Sequence, residues 1–200
     1  MMRYATLLAL LVTMTACQPL RQLPHPAPTG LDNFWQVSGK LALRASAEAP
    51  GGRRNQTLQF NWQQRGEDYR LQLRGTLGFG QVLVTREDGQ LALHRGGTLV
   101  STADSAEQLL LESTGWALPV SLLRYWATGQ PAPDSPYQPI DADDPVQHTG
   151  FSQAGWQVSY PGDPAASLPG RPSRMRAEHP HLVLIAAFRG WQPVQPAPAE

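Results

Sequence analysis

Few side chains in this chain of 200 residues are spaced for chemistry. His179 and His181 stand two apart, a spacing that would put both imidazoles on one face of a strand as two metal ligands. No third ligand lies near them in sequence, so no metal is expected. Asp141, Asp143 and Asp144 could pair as catalytic carboxylates, but they sit in a Pro-rich acidic stretch where such a run is ordinarily solvated. Gly39-Lys40 runs straight into Leu41 without a preceding glycine loop, so it is not a nucleotide-binding motif. Gly75, Gly78 and Gly80 lack the dinucleotide spacing, and no helical pattern follows them. No Ser, His and Asp arrangement is specified by spacing alone. The expectation is a chain that is not an enzyme, with no catalytic residue and no cofactor.

The single cysteine, Cys17, is reactive in a different sense. A short basic start, Met1-Met-Arg-Tyr, precedes an apolar run from Ala5 to Ala16 that fits an export signal and is too short to span a bilayer. Met14-Thr-Ala-Cys17 resembles a bacterial lipobox, with Met14 where leucine is usual. That resemblance implies cleavage before Cys17, diacylglycerol on its sulfur and a further acyl group on the new amine. Gln18 stands where an aspartate would resemble an inner-membrane retention signal, which favours the outer membrane. With Cys17 acylated, no thiol is left for a disulfide or a zinc site.

The expected organisation is a signal peptide at 1–16, a lipidated polar tether at 17–33, one domain at 34–192 and a loose tail at 193–200. Sixteen basic residues balance sixteen acidic ones and form no stripe, so nucleic acid is not an expected partner.

The elements that must position any site are mostly strands. Trp35, Val37, Leu41 and Leu43 share one face of a first strand, and Leu58, Phe60 and Trp62 alternate with polar residues in a second. Tyr69, Leu71 and Leu73 make a third, which leads through Gly75-Thr-Leu-Gly-Phe-Gly80 into a fourth from Gln81. A turn carrying Leu77 and Phe79 is unusual: it either folds back into the core or meets something apolar. Asp88-Gly89 and Gly96-Gly97 are tight turns that complete a six-stranded antiparallel meander.

The period then becomes helical. Asp104-Ser-Ala-Glu107 resembles a capping box, and Gly115 stops the helix. Pro119 suits the first turn of a second helix that carries Val120, Leu123 and Trp126 on one face and stops at Gly129. Residues 130–145 read as a connection, and strands resume near Gln147. Trp156, Val158 and Tyr160 alternate, Arg174 to Glu178 forms a strand, and His181 to Arg189 reads as a run buried on both faces. About ten antiparallel strands must curl, and two short apolar-faced helices can cover them. The predicted fold is therefore mainly β with two short helices, a curled, unclosed antiparallel half-barrel with a helical lid over an apolar cavity. Candidate linings are Trp35, Phe60, Trp62, Leu71, Trp126 and Trp156, each of which would serve equally as ordinary core.

Taken together, Trp35 with Gly39-Lys-Leu-Ala-Leu-Arg44, Phe60-Asn-Trp62, Tyr69-Arg-Leu-Gln-Leu with Leu77-Gly78, Gly115-Trp-Ala-Leu-Pro-Val120 with Trp126-Ala-Thr-Gly129, and Gly155-Trp-Gln-Val-Ser-Tyr160 resemble the LolB family across nearly the whole mature chain. Members of that family are outer-membrane receptors that accept lipoproteins from the periplasmic carrier LolA. The resemblance implies an unclosed barrel with a lid, acylated lipoprotein cargo, LolA as donor, anchorage to the outer membrane facing the periplasm, and a monomer. It also implies that Leu77, matching a leucine needed for delivery, is exposed at a loop tip with Phe79 beside it. Thr76 and Phe79 depart from some relatives. The alternative is a non-enzymatic envelope lipoprotein that binds another lipid or apolar ligand.

Overall fold

A computed structural model describes residues 33–49, 52–75, 80–140, 150–162 and 171–195. Cys17, Leu77, Phe79 and the Asp141, Asp143 and Asp144 run lie outside the described residues.

The N-terminal half is a meander of long strands: β1 (Phe34–Ala45), β2 (Arg54–Arg65), β3 (Asp68–Gly75), β4 (Gln81–Glu87), β5 (Gln90–Arg95) and β6 (Thr98–Ala103). The first three bury alternate residues, so one face is packed and the other is wet. The turns follow from residue chemistry. Asp88 and Gly89 have φ of 50° and 78°, and Gly96 and Gly97 have 58° and 88°, the paired positive values that let a two-residue turn match the twist of its strands.

Two helices follow, α1 (Ala106–Thr114) and α2 (Val120–Trp126). The cap of α1 is Ser105 rather than Asp104: its side chain accepts the Gln108 backbone N–H, so Ser105 to Gln108 spans the capping interval. Gly115 closes α1 in the left-handed region at φ 75°.

A second meander completes the sheet with β7 (Tyr137–Ile140), β8 (Gly150–Gln153), β9 (Trp156–Ser159), β10 (Arg174–His179) and β11 (Leu182–Pro193). The strand order is β6-β5-β4-β3-β2-β1-β11-β10-β9-β8-β7, antiparallel throughout and unclosed. The sheet therefore has eleven strands where about ten were expected. The additional one is β7, in what reads as a connection; its Pro139 lacks an N–H and is tolerated because β7 is an edge strand.

Strand β11 is also less buried than its apolar run suggests. Leu182, Leu184, Ala186 and Phe188 are buried, whereas Val183, Ile185 and Ala187 are half-buried. The helices cover only one face of the single sheet, so the other face keeps its contact with solvent. Strand β11 continues through Pro193, where a loose tail was expected to begin, and the Val194 N–H donates to Phe34 O at 3.1 Å.

The core lies on the concave face. Trp35 packs on Trp62 and Trp191 at ring separations of 5.5 and 5.3 Å, and Phe60 meets Phe188 at 5.8 Å. Gly39 makes the last contact possible: a Cβ there would lie 2.0 Å from Ala187 O and 2.7 Å from the Phe60 ring. Gly39→Ala is therefore expected to destabilise the domain by about 3 kcal/mol, because backbone as well as ring would have to shift. A lower urea midpoint at unchanged m-value is the check.

Candidate functional site: an apolar cavity beneath two helices

The concave face and α2, with the residues flanking it, bound an apolar cavity. Its sheet wall comes from Leu41, Phe60, Trp62, Leu71 and Leu73, its roof from Leu118, Val120, Leu123 and Ala127, and its far wall from Met175, Leu184, Ala186 and Phe188. The free space inside it is small, about 30 Å³. The roof thus nearly touches the floor, and any chain-like ligand must lift it.

Of the six side chains expected to line a cavity, Phe60, Trp62 and Leu71 line this one. Trp156 lines a neighbouring cavity of about 390 Å³ at the end of the barrel where β1 ends and β2 begins. Trp35 and Trp126 line neither: Trp35 is wedged between Trp62 and Trp191, and Trp126 packs on Phe151 and Trp156 at 6.4 and 6.0 Å. His179 ends β10 and His181 lies in the turn beyond it, so the two do not share a strand. Their rings are 6.3 Å apart, and no group of three His, Cys, Asp or Glu able to hold a metal occurs among the described residues.

Polar groups fix the roof at its margins and leave the cavity lining apolar. Gln153 Oε1 accepts the Trp126 indole N–H and the Ala132 N–H, each at 2.8 Å, while its Nε2 donates to Ala132 O and Ser135 O, also at 2.8 Å. Tyr160 donates its hydroxyl to Trp126 O at 2.8 Å. Burial pushes the Tyr160 phenol above its ordinary range, so it remains a neutral donor. On the sheet side Gln64 accepts the Trp62 indole N–H at 3.0 Å and donates to Gly66 O at 2.8 Å. Each indole can therefore present an apolar ring without an orphaned N–H.

Both glutamines were missed as structural residues, although a signal was present. Gln64 continues the inward series Leu58, Phe60, Trp62, and Gln153 follows Phe151 at the same parity. A polar residue on the buried face of an alternating strand marks an internal hydrogen-bond hub.

Glu107 ties the two helices together. It accepts the Ser121 N–H and the Ser105 hydroxyl, each at 2.8 Å. Burial pushes its carboxyl upward, but these hydrogen bonds outweigh it and leave the pKa below the ordinary value of 4.5. A depressed folded-state value means that Glu107 stabilises the fold above about pH 4.5 and loses that contribution as pH falls through the folded value. Glu107→Gln should accordingly lower the urea midpoint at pH 7, and the gap to the parent chain should narrow below pH 4.5. At the rim, Arg95 donates to Ser113 O at 2.7 Å and Arg124 pairs with Glu67 at 2.7 Å, anchoring each helix to the sheet.

Residues 33–191, which include the whole cavity, match the family model described as outer membrane lipoprotein LolB. The chain belongs to the LolB family. It is 34% identical to the outer-membrane lipoprotein LolB of Halorhodospira halophila over 157 residues, 78% of this chain and 74% of that protein. It is 33% identical to the outer-membrane lipoprotein LolB of Nitrosococcus oceani over 202 residues, 95% of this chain and 97% of that one. A crystal structure of a LolA superfamily protein from Nitrosomonas europaea, 12% identical, aligns with 85% of this chain and 92% of its own at a TM-score of 0.41. The LolB relatives carry lipoprotein in their names, and the unclosed β-sheet with two helices over a wholly apolar cavity belongs to a chain of that family.

Proposed function

We propose that this protein accepts acylated lipoproteins from a periplasmic carrier of the LolA type and inserts them into the outer membrane. The supporting observation is the cavity, in which every lining residue is apolar and the roof is carried by α2 and the residues that flank it. Acyl chains lose about 0.8 kcal/mol for each CH₂ exposed to water, so a triacylated polypeptide needs an apolar container between membranes. Cargo would enter by lifting α1 and α2 from the floor, trading their contacts for contacts with the chains.

Transfer runs downhill, from carrier to receptor to bilayer, without an energy source of its own. Acylation of Cys17 holds the receptor on the periplasmic side of the outer membrane as a monomer, and Leu77, with Phe79 beside it, enters the lipid to begin release. No helix among the described residues is long and apolar enough to cross a membrane, so anchorage by lipid is consistent with the fold.

The test mixes the purified protein with carrier loaded with an acylated lipoprotein and follows movement of cargo by pull-down. Cargo that moves only when acylated is the expected result. Equal handling of unacylated cargo, or none by folded protein with a competent carrier, would sink the proposal. Uptake of free lipid alone would favour a generic lipid-binding protein.

A further inference from the structure

The larger cavity, beside the apolar one, differs from it in kind. Arg54, Ala45, Leu182 and His179 form one row across the neighbouring strands β2, β1, β11 and β10. Directly opposed residues of an antiparallel pair share a face, and Ala45 and Leu182 are buried, so the row faces the concave side. With strands roughly 4.8 Å apart, the two basic residues stand about 14 Å apart across a small apolar floor. Trp116 roofs the Arg54 side, its ring 4.3 Å from the guanidinium carbon, and Trp156 supports His179 at 5.2 Å. Leu182 is followed at the same parity by Leu184 in the apolar cavity, and Pro119 is flanked by Leu118 and Val120, so the two spaces are consecutive stretches of one trough.

Charge sets the character of this stretch. Arg54 donates to Gly115 O through one terminal nitrogen, while its Nε is buried without a hydrogen-bond partner in the protein. Among the described residues no carboxylate pairs with it. The one acid in the lining, Glu107, is already engaged by Ser121 and Ser105. A guanidinium without a carboxylate partner therefore lines this stretch of the trough, with His179 and His181 on the opposite side.

We propose that this second cavity is a headgroup site for phosphatidylglycerol, its phosphate on Arg54, the free hydroxyls of its headgroup glycerol on His179 and His181, and an acyl tail in the adjoining apolar cavity. The assignment rests on the acyl-binding role proposed above and extends it. The cargo's lipid-modified cysteine, acylated on its nitrogen, carries no anion for Arg54; a membrane phospholipid does. A phospholipid so held would occupy the trough between rounds of cargo and leave as cargo enters.

The test uses the full chain carrying Cys17→Ala, so that no covalent lipid competes, titrated with short-chain lipids brominated in the tails. Tryptophan quenching reports a tail beside Trp62. Phosphatidylglycerol should bind about tenfold more tightly than diacylglycerol of the same chains, which lacks the phosphate, the value of one charge-assisted hydrogen bond. Arg54→Gln should bring the two lipids to equality. The double variant His179→Gln/His181→Gln should reduce the preference severalfold, and it carries the test if Arg54→Gln fails to fold. Equal binding of the two lipids by the parent chain, or equal binding of a brominated fatty acid and phosphatidylglycerol, overturns the headgroup assignment. Cargo transfer is measured separately with the parent protein: transfer without phospholipid preference removes only this inference, and absence of both removes the receptor reading as well.

Discussion

Gln153→Leu is expected to lower the stability of the domain by roughly 4 kcal/mol, among the largest effects available to a single side chain here. The reason is the number of groups that one amide serves. Its loss leaves the Trp126 indole N–H, both polar groups of the Ala132 backbone and the Ser135 carbonyl without their partner. Each buried orphan costs about 1–3 kcal/mol, and leucine, although similar in bulk, satisfies none of them. Relaxation and water recover part of that sum. Thermal unfolding should shift down by roughly 10 °C for a domain of this size. The control is Gln157→Leu on the exposed face of β9, where the same chemical change should move stability by less than about 0.5 kcal/mol. Equal effects at the two positions would show that the network does not hold the segment after α2.

Leu77→Glu is expected to separate acceptance of cargo from its release. If Leu77 enters lipid during delivery, a charge in its place opposes that step by up to about 3 kcal/mol, on the order of a hundredfold in rate. The substitution leaves the described lining of the cavity intact, Leu41, Leu123 and Leu184 among others, so uptake from the carrier should be unchanged. Two measurements on one sample decide it: cargo bound to the receptor after mixing with loaded carrier, and cargo recovered in vesicles. Accumulation on the receptor is the expected outcome. Unimpaired insertion would remove Leu77 from the mechanism. Parallel loss of acceptance would instead place it at the carrier contact.

Much of the scaffold is legible in the residues because strand alternation and turn chemistry are local. Leu58, Phe60 and Trp62 identify a half-buried strand without reference to anything distant, and Asp88-Gly89 names its own turn. What resists reading depends on curvature and neighbours. Trp35 and Trp62 sit on identical alternating patterns, yet one lines the cavity and the other stands behind it, packed between Trp62 and Trp191. Alternation says which face a residue occupies and cannot say where along that face the roof leaves a gap. Strand β7 was obscured by Pro139, whose missing N–H matters only if both sides of the strand are paired. The basic row of Arg54 and His179 was hidden for a related reason. Each sits at the end of its strand, and only the pairing of β1 with β11 brings them onto one floor.

That pairing has a consequence for how the molecule comes into being. The first and last strands of the domain, β1 and β11, lie side by side at the centre of the sheet and form the seam between its two meanders. A chain emerging from its N-terminus can zip β1 to β6 early, but the free edge of β1 waits for the final segment to arrive. Such a distant contact closes slowly, and an unpaired edge beside an apolar face invites association with other chains. Newly made copies are therefore expected to expose that edge until β11 arrives, and a chain shortened before Leu182 would keep it exposed.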